Sequence, residues 1–234
     1  MNGVKTFAID IDGTLTEDGC GRVHLDGLGA MRCLEDMGLR VIYVTGRSSV
    51  EAFVLAVFGG TTHLSVGENG GVITTAPNNH ILLARKENCL KGYEVLRHNF
   101  ERVQMKPVFN RLTEVVLART FDLREGAKVL VENGLDLTLS DSKYAYHINE
   151  KGVDKGSGLL KALKMLNLNS QETAAIGDSE TDIPLFEVCG CSVALSHSDD
   201  SVKAKAKHVV RGRAGKGLVD AINLVMLNHM EAFR

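Results

Sequence analysis

The sequence predicts an α/β protein in which a parallel-sheet core is interrupted by a small α+β module. Three observations carry that reading. Short apolar, β-rich runs alternate with segments of helical period, as in a parallel sheet covered on both faces. The middle of the chain instead reads helix, strand, helix, strand, strand, which suits a unit inserted into the sheet domain. The chain has 234 residues, 44% hydrophobic and 24% charged, enough for one large domain and a small second one.

Taken in order, residues 4–9, 40–44, 62–66, 173–176, 192–195 and 208–210 read as core strands. Between the first two, Leu28, Met31, Leu34 and Met37 repeat at threes and stop at Gly38, a residue suited to the left-handed position past a helix end. Leu159, Leu163 and Leu166 mark a later helix; Leu218, Ala221, Ile222 and Val225 mark the last one. In the middle, 90–100 and 123–132 are helical, and 113–119, 135–140 and 143–149 are strands. Along the last two, Leu135, Leu137, Leu139, Tyr144, Tyr146 and Ile148 fall on one side, facing the inserted helices. Asp136, Thr138, Ser140, Lys143, His147 and Asn149 fall on the opposite, open side. The expected division is a core of 1–81 and 152–234 around an inserted 82–151.

Charge narrows the function classes. Lys plus Arg number 27 and Asp plus Glu 29, a net charge of −2, so no basic field exists to hold a nucleic acid. No run approaches the apolar length of a membrane span, and the start of the sequence lacks the pattern of a signal peptide. The five cysteines show no metal-site spacing, and their odd number fits reduced thiols in a cytoplasm. A cytoplasmic enzyme is expected, with a homodimer as the prior for its assembly.

Four strand ends carry polar residues where open α/β sheets bind ligands. After the first strand come Asp10-Ile11-Asp12-Gly13-Thr14-Leu15-Thr16. Two carboxylates two positions apart leave a strand on the same side, suiting Asp10 as nucleophile and Asp12 as general acid, then base. The segment through Asp18 and Gly19 suits a hairpin flap. After the second strand, Thr45-Gly46-Arg47 offers a hydroxyl, free backbone N–H groups and a guanidinium to phosphoryl oxygens. Asp154 is suited to cap a helix, placing Lys155 in the first turn, where an anion is favoured. Gly177-Asp178-Ser179-Glu180-Thr181-Asp182 sets two aspartates four apart, oxygen donors of the kind a hard divalent cation takes, although Asp182 before Pro184 also reads as a helix cap. The groups need one another: an anionic Asp10 facing a phosphate dianion is repelled unless a cation lies among the carboxylates. At ~4 Å and an effective dielectric of ~20 that repulsion is about 4 kcal/mol per pair of unit charges, and Mg²⁺ with its preference for carboxylate, phosphate and water suits the place.

At these residues the sequence resembles the haloacid dehalogenase superfamily: Asp10-x-Asp12-Gly-Thr, then Thr45, then Lys155, then Gly177-Asp178-Ser179-x-x-Asp182, in that order. The resemblance implies a Rossmann-like core and an aspartyl-phosphate on Asp10. Asp12 would protonate the leaving group and then activate water. It also implies Mg²⁺ held by Asp10, the main-chain carbonyl of Asp12, and Asp178, with Asp182 in support. Thr45 stands 35 positions after Asp10, and Lys155 110 after Thr45, so the inserted module is a cap of the second type. Thr-Gly-Arg and the turn Glu68-Asn69-Gly70-Gly71 resemble subclass IIB. The small cap, with Tyr146-His147-Ile148 ahead of Gly152-Val153-Asp154-Lys155-Gly156, is similar to archaeal-type phosphoglycolate phosphatases and sucrose-phosphatase-like relatives. A small phosphorylated metabolite, 2-phosphoglycolate first among them, is the implied substrate. A sugar-phosphate phosphatase or a phosphomutase is the alternative, and a non-catalytic binding module is disfavoured because every acidic position is kept. Arg47, Asn69, Arg111, Lys143 and His147 are the candidate substrate contacts.

Overall fold

The computed structural model describes residues 3–17 and 21–231. The core opens with β1 (Thr6–Ile9), α1 (Leu25–Asp36), β2 (Arg40–Val44), α2 (Ser49–Gly59), β3 (Ser65–Gly67), β4 (Val72–Ala76) and β5 (Asn79–Leu82). A smaller unit follows: α3 (Lys86–Asn99), β6 (Val115–Leu117), α4 (Leu123–Glu132), β7 (Leu137–Asp141) and β8 (Tyr146–Glu150). The chain then returns through α5 (Lys155–Met165), β9 (Thr173–Gly177), α6 (Ile183–Val188), β10 (Cys191–Ala194), α7 (Asp200–Lys203), β11 (His208–Val209) and α8 (Ala214–Glu231).

The eight core strands run in the order β11-β10-β9-β1-β2-β3-β4-β5. The first six are parallel, and β4 and β5 add an antiparallel edge. That hairpin is absent from the sequence reading, because Val72-Ile73-Thr74-Thr75-Ala76 is too short and too close to the preceding turn to stand out by period. Leu82, expected at the start of the insert, still pairs with Val72 in the large sheet. Strand alternation divides the core into two layers. Phe7 and Ile9 pack with Met31, Leu34, Leu218, Ile222 and Val225 on one face. Ala8, Ile42 and Val44 pack with Leu159, Leu163, Leu185 and Phe186 on the other.

Helix ends are set by local chemistry. Ser48 and Glu51 close a reciprocal capping box on α2, which stops at Gly60 with φ +70°. Asp154 and Ser157 do the same for α5. Gly38, with φ +83°, follows α1 as its position suggested.

The cap sheet is antiparallel, in the order β6-β8-β7. Leu137, Leu139, Tyr146 and Ile148 bury against α3 and α4 through Leu96 and Leu130. Three side chains are placed differently from the sequence reading. Tyr144 lies in the turn before β8, exposed, with the Lys106 ammonium 3.3 Å from its ring centroid. His147 and Asn149, expected on an open face, are buried because that face lies against the core turn at Glu68 and Asn69.

Candidate active site

The strand order reverses at β1, whose neighbours β2 and β9 belong to the two halves of the core. Ligands of open α/β sheets lie beyond the carboxyl ends of the strands at such a switch point. Asp10 leaves β1 there, Thr45 leaves β2, and Asp178 leaves β9. The Asp10 N–H donates to the Ile176 carbonyl at 3.1 Å, tying the start of the loop to β9. Gly13 turns the chain with φ +81°, and a Cβ there would stand 2.6 Å from Asp178 Oδ2. Only glycine lets this turn lie against the Asp178 carboxylate. Antiparallel pairing of Thr16 with Val23 follows; the tip of the expected flap, Asp18 and Gly19, falls outside the described residues.

Lys155 reaches the centre from the first turn of α5, buried, with Nζ 2.7 Å from Asp10 Oδ1 and 2.6 Å from Asp182 Oδ1. Burial pushes the Asp10 carboxyl well above its ordinary range; Lys155 opposes this, and the charges of Asp182 and Asp178 add to it. Burial alone would lower the Lys155 ammonium, but Asp10 and Asp182 together raise it, so it stays charged. One ammonium thus serves two carboxylates, leaving the cluster short of positive charge.

Asp10, Asp178 and Asp182 each bring a carboxylate oxygen within 4.8 Å of the others. The donors are hard oxygens, three anions are gathered around one ammonium, and Asp10 Oδ2 accepts no hydrogen bond among the described residues, so the site fits a divalent cation. The three carboxylates are not equivalent. Asp182 Oδ2 accepts from the Asp178 N–H, the Ser179 N–H and the Ser179 hydroxyl, and its Oδ1 from Lys155. With its lone pairs so committed, Asp182 braces the loop, while Asp10 and Asp178 remain the better ligands. Asp178 Oδ1 accepts from the Thr14 hydroxyl at 2.9 Å, and its Oδ2 lies 3.4 Å from His197 Nε2. The sequence reading found no role for His197; its neighbourhood is visible only once β9 and β10 lie side by side.

The Asp12 carboxylate is not among these clustered donors. Arg47 grips it at both oxygens, Nε to Oδ2 at 2.8 Å and Nη2 to Oδ1 at 2.7 Å. Arg47, expected to meet phosphoryl oxygens, is therefore engaged by Asp12 and by Glu51 at 3.1 Å. Thr45 is buried, its hydroxyl oxygen accepting from the Arg47 N–H at 3.1 Å. Gly46 lies beside Asn69, whose Oδ1 would stand 3.1 Å from a Cβ placed there.

The remaining candidates belong to the junction of cap and core. Asn69, with φ +52°, donates from its main chain to the Thr45 carbonyl and from Nδ2 to Glu114 Oε2. Arg111 is buried against Glu114 at 3.0 Å and reaches Glu51 at 3.5 Å. His147 uses both ring nitrogens on protein, Nδ1 with Glu114 and Nε2 with Ser142 Oγ, which corrects the expectation that it faces substrate. Lys143 pairs with Asp199 of the core at 2.9 Å. Glu68, Glu51 and Glu114 are the residues that the sequence reading missed. Glu68 accepts from the N–H groups of Leu112 and Thr113 and from the Thr113 hydroxyl. Glu114 is fully buried, where burial pushes its carboxyl up but His147, Arg111 and Asn69 together pull it below the ordinary range. Arg47 and Ser48 lie near Glu51 in sequence, and Arg111 near Glu114, but the contacts that place these glutamates at the junction are long-range: Glu51 with Arg111, Glu68 with Thr113 and Glu114 with His147.

A carboxylate held by a buried ammonium, beside two further carboxylates, thus lies at the switch point of a capped parallel sheet, where such folds bind ligands. Comparison with known proteins gives the family. Residues 124–222 match the model of haloacid dehalogenase-like hydrolases. Over 219 residues the chain is 54% identical to a phosphoglycolate phosphatase of Nitrosopumilus maritimus, covering 94% of this chain and 95% of that protein. A phosphoglycolate phosphatase of Archaeoglobus fulgidus is 35% identical across 95% of this chain and 97% of its own. Among solved structures, one from Thermoplasma acidophilum superposes with a TM-score of 0.83 at 23% identity, covering 97% of this chain and all of that one (100%). The chain belongs to the haloacid dehalogenase-like hydrolases.

Proposed function

We propose that this hydrolase is a Mg²⁺-dependent phosphatase that cleaves 2-phosphoglycolate to glycolate and phosphate. The observation that carries the chemistry is the buried Lys155 ammonium shared between Asp10 and Asp182 beside Asp178. The substrate is supported by the phosphoglycolate phosphatases that match nearly the whole chain.

Asp10 Oδ2 attacks phosphorus in line, and the P–O bond to the glycolate oxygen breaks as the Asp10–phosphorus bond forms. Asp12 gives its proton to the departing oxygen, then takes one from the water that attacks the aspartyl-phosphate; the Asp10–phosphorus bond breaks, inorganic phosphate leaves, and both aspartates return to their starting states. Lys155 and the backbone at Thr45-Gly46 hold phosphoryl oxygens as charge redistributes between them. Asp10 and Asp178 would hold Mg²⁺, whose charge would offset the repulsion between the Asp10 carboxylate and the phosphate. The cap rests on the core through the Glu68-Asn69 turn and the Lys143–Asp199 pair.

Phosphate release from a panel of 2-phosphoglycolate, sugar phosphates and nucleotides, with and without Mg²⁺, tests the proposal. Preference for 2-phosphoglycolate, lost in Asp10→Asn by ~10³-fold or more, supports it. Equal turnover by the variant refutes the nucleophile, and preference for a hexose phosphate refutes the substrate.

A further inference from the structure

A line of alternating charge runs from the acid–base residue into the cap. Asp12 is gripped by Arg47 at 2.7 Å, and Arg47 Nη1 lies 3.1 Å from Glu51 Oε1. Glu51 Oε2 then lies 3.5 Å from Arg111 Nη1 of the cap, and Arg111 Nε 3.0 Å from Glu114 Oε1. His147 ends the line, with Nδ1 3.0 Å from Glu114 Oε2. Exposure falls along it: 51% for the Asp12 side chain, 36% for Arg47, 19% for Glu51, 8% for Arg111 and 0% for Glu114.

That gradient decides which member can steer which. An exposed pair gains little and is screened by salt, whereas a pair at lower effective dielectric interacts several times more strongly. Glu114 and Arg111 are therefore the fixed end, and Asp12 is the end free to turn. Arg47 has a long, rotamer-rich side chain, and a single exposed partner would not confine it. Glu51 provides the second anchor, itself confined by the α2 capping box with Ser48 and by Arg111. Arg111 comes from the cap and Glu51 from the core, so the line is continuous only while the cap rests on the core.

We propose that Glu51 and Arg111 are positioning residues that couple cap docking to the orientation of the Asp12 carboxylate, acting through Arg47. The proposal rests on the acid–base role of Asp12 given above. It names a function for two residues that lie outside the carboxylate cluster. It also separates the Asp12-dependent step from the attack by Asp10. When an alkyl phosphate is cleaved, the P–O bond breaks and the leaving oxygen needs the Asp12 proton. When p-nitrophenyl phosphate is cleaved, nitrophenolate departs as the anion and no proton is needed.

The test compares first-turnover rates on these two leaving groups, by rapid quench for glycolate and by absorbance for the nitrophenolate burst. Glu51→Gln keeps a residue able to close the capping box while removing the charge that faces both arginines. It is expected to slow the first turnover of 2-phosphoglycolate by ~10-fold, about 1.4 kcal/mol of barrier, and to leave the nitrophenolate burst within about twofold. Arg111→Lys, which keeps the charge but not the fork, is expected to show the same split to a smaller extent and stands in if Glu51→Gln does not fold. Asp12→Asn calibrates the split. If Asp12→Asn discriminates between the leaving groups and the two positioning variants slow both equally or neither, the coupling is overturned. If Asp12→Asn itself shows no discrimination, the acid role of Asp12 falls, and the proposal with it.

Discussion

At the residue scale, Lys155 is the member on which the electrostatics of the site turn. Its ammonium is buried between Asp10 and Asp182, with Asp178 close by. Removing one partner of a buried pair leaves an uncompensated charge, which typically costs ~3–5 kcal/mol. Lys155→Met is therefore expected to lower the melting temperature sharply in metal-free buffer. A divalent cation bound among the carboxylates replaces part of the lost charge, so Mg²⁺ is expected to raise the melting temperature more in Lys155→Met than in the parent protein. Thermal unfolding with and without Mg²⁺ reads both; an equal Mg²⁺ increment in the two proteins would argue against the cation lying at this cluster. These residues are legible in the sequence because each occupies a strand end or a helix start, positions that local pattern marks. Arg47 shows the limit of such reading. The same strand-end logic assigns it to phosphate, but its reach is longer than the spacing argument can follow, and it meets Asp12 instead.

At the scale of elements, the turn Glu68-Asn69-Gly70-Gly71 joins the two domains, and its backbone explains its composition. Glu68 and Asn69 both have positive φ, 54° and 52°, and Gly70 follows at 99°. Added Cβ atoms would strike the Asp154 carbonyl at Gly70 and the Thr113 hydroxyl at Gly71. The turn is thus clasped between both connections of the cap, 111–114 and 150–154. Gly70→Ala is expected to lower the urea midpoint by an amount equivalent to ~2 kcal/mol or more, combining an unfavourable φ with a backbone clash. A change of a few tenths would mean that the clasp is loose. Thr113→Val removes one of the three donor groups that bond the Glu68 carboxylate and keeps the shape, so a loss of ~1–2 kcal/mol is expected from the same measurement. The turn is visible in the sequence as Gly-Gly after a strand, but its partner segment is not. Glu114 reads as an ordinary strand-flanking charge until β6 and β8 pair and bring His147 and Asn149 to it.

For the whole molecule, cap and core are joined through buried carboxylates, and acid should part them in a predictable order. The folded-state carboxyl of Glu114 lies below its ordinary value of 4.5 because His147, Arg111 and Asn69 outweigh the effect of burial. A carboxylate depressed on folding contributes stability above its unfolded value and loses it as pH falls through the folded one. The stability difference between the parent protein and Glu114→Gln is therefore expected to be full near neutrality and to shrink below pH ~4.5, measured by urea unfolding across pH. A difference constant with pH would mean that shape, not charge, accounts for Glu114. At this scale the α/β core and the inserted antiparallel cap follow from the order of apolar runs, while the docking of one on the other depends on contacts between segments far apart in the chain. The central claim is that Asp10 takes the phosphoryl group. It is tested most directly by acid-quenching Asp12→Asn during turnover of p-nitrophenyl phosphate, whose leaving group needs no proton, with Mg²⁺ and mass-analysing its peptides. The account predicts a phosphoryl increment on the peptide carrying Asp10, absent when Asp10 is also changed to Asn; an unmodified Asp10 peptide, or a phosphoryl group on any other residue, would contradict it.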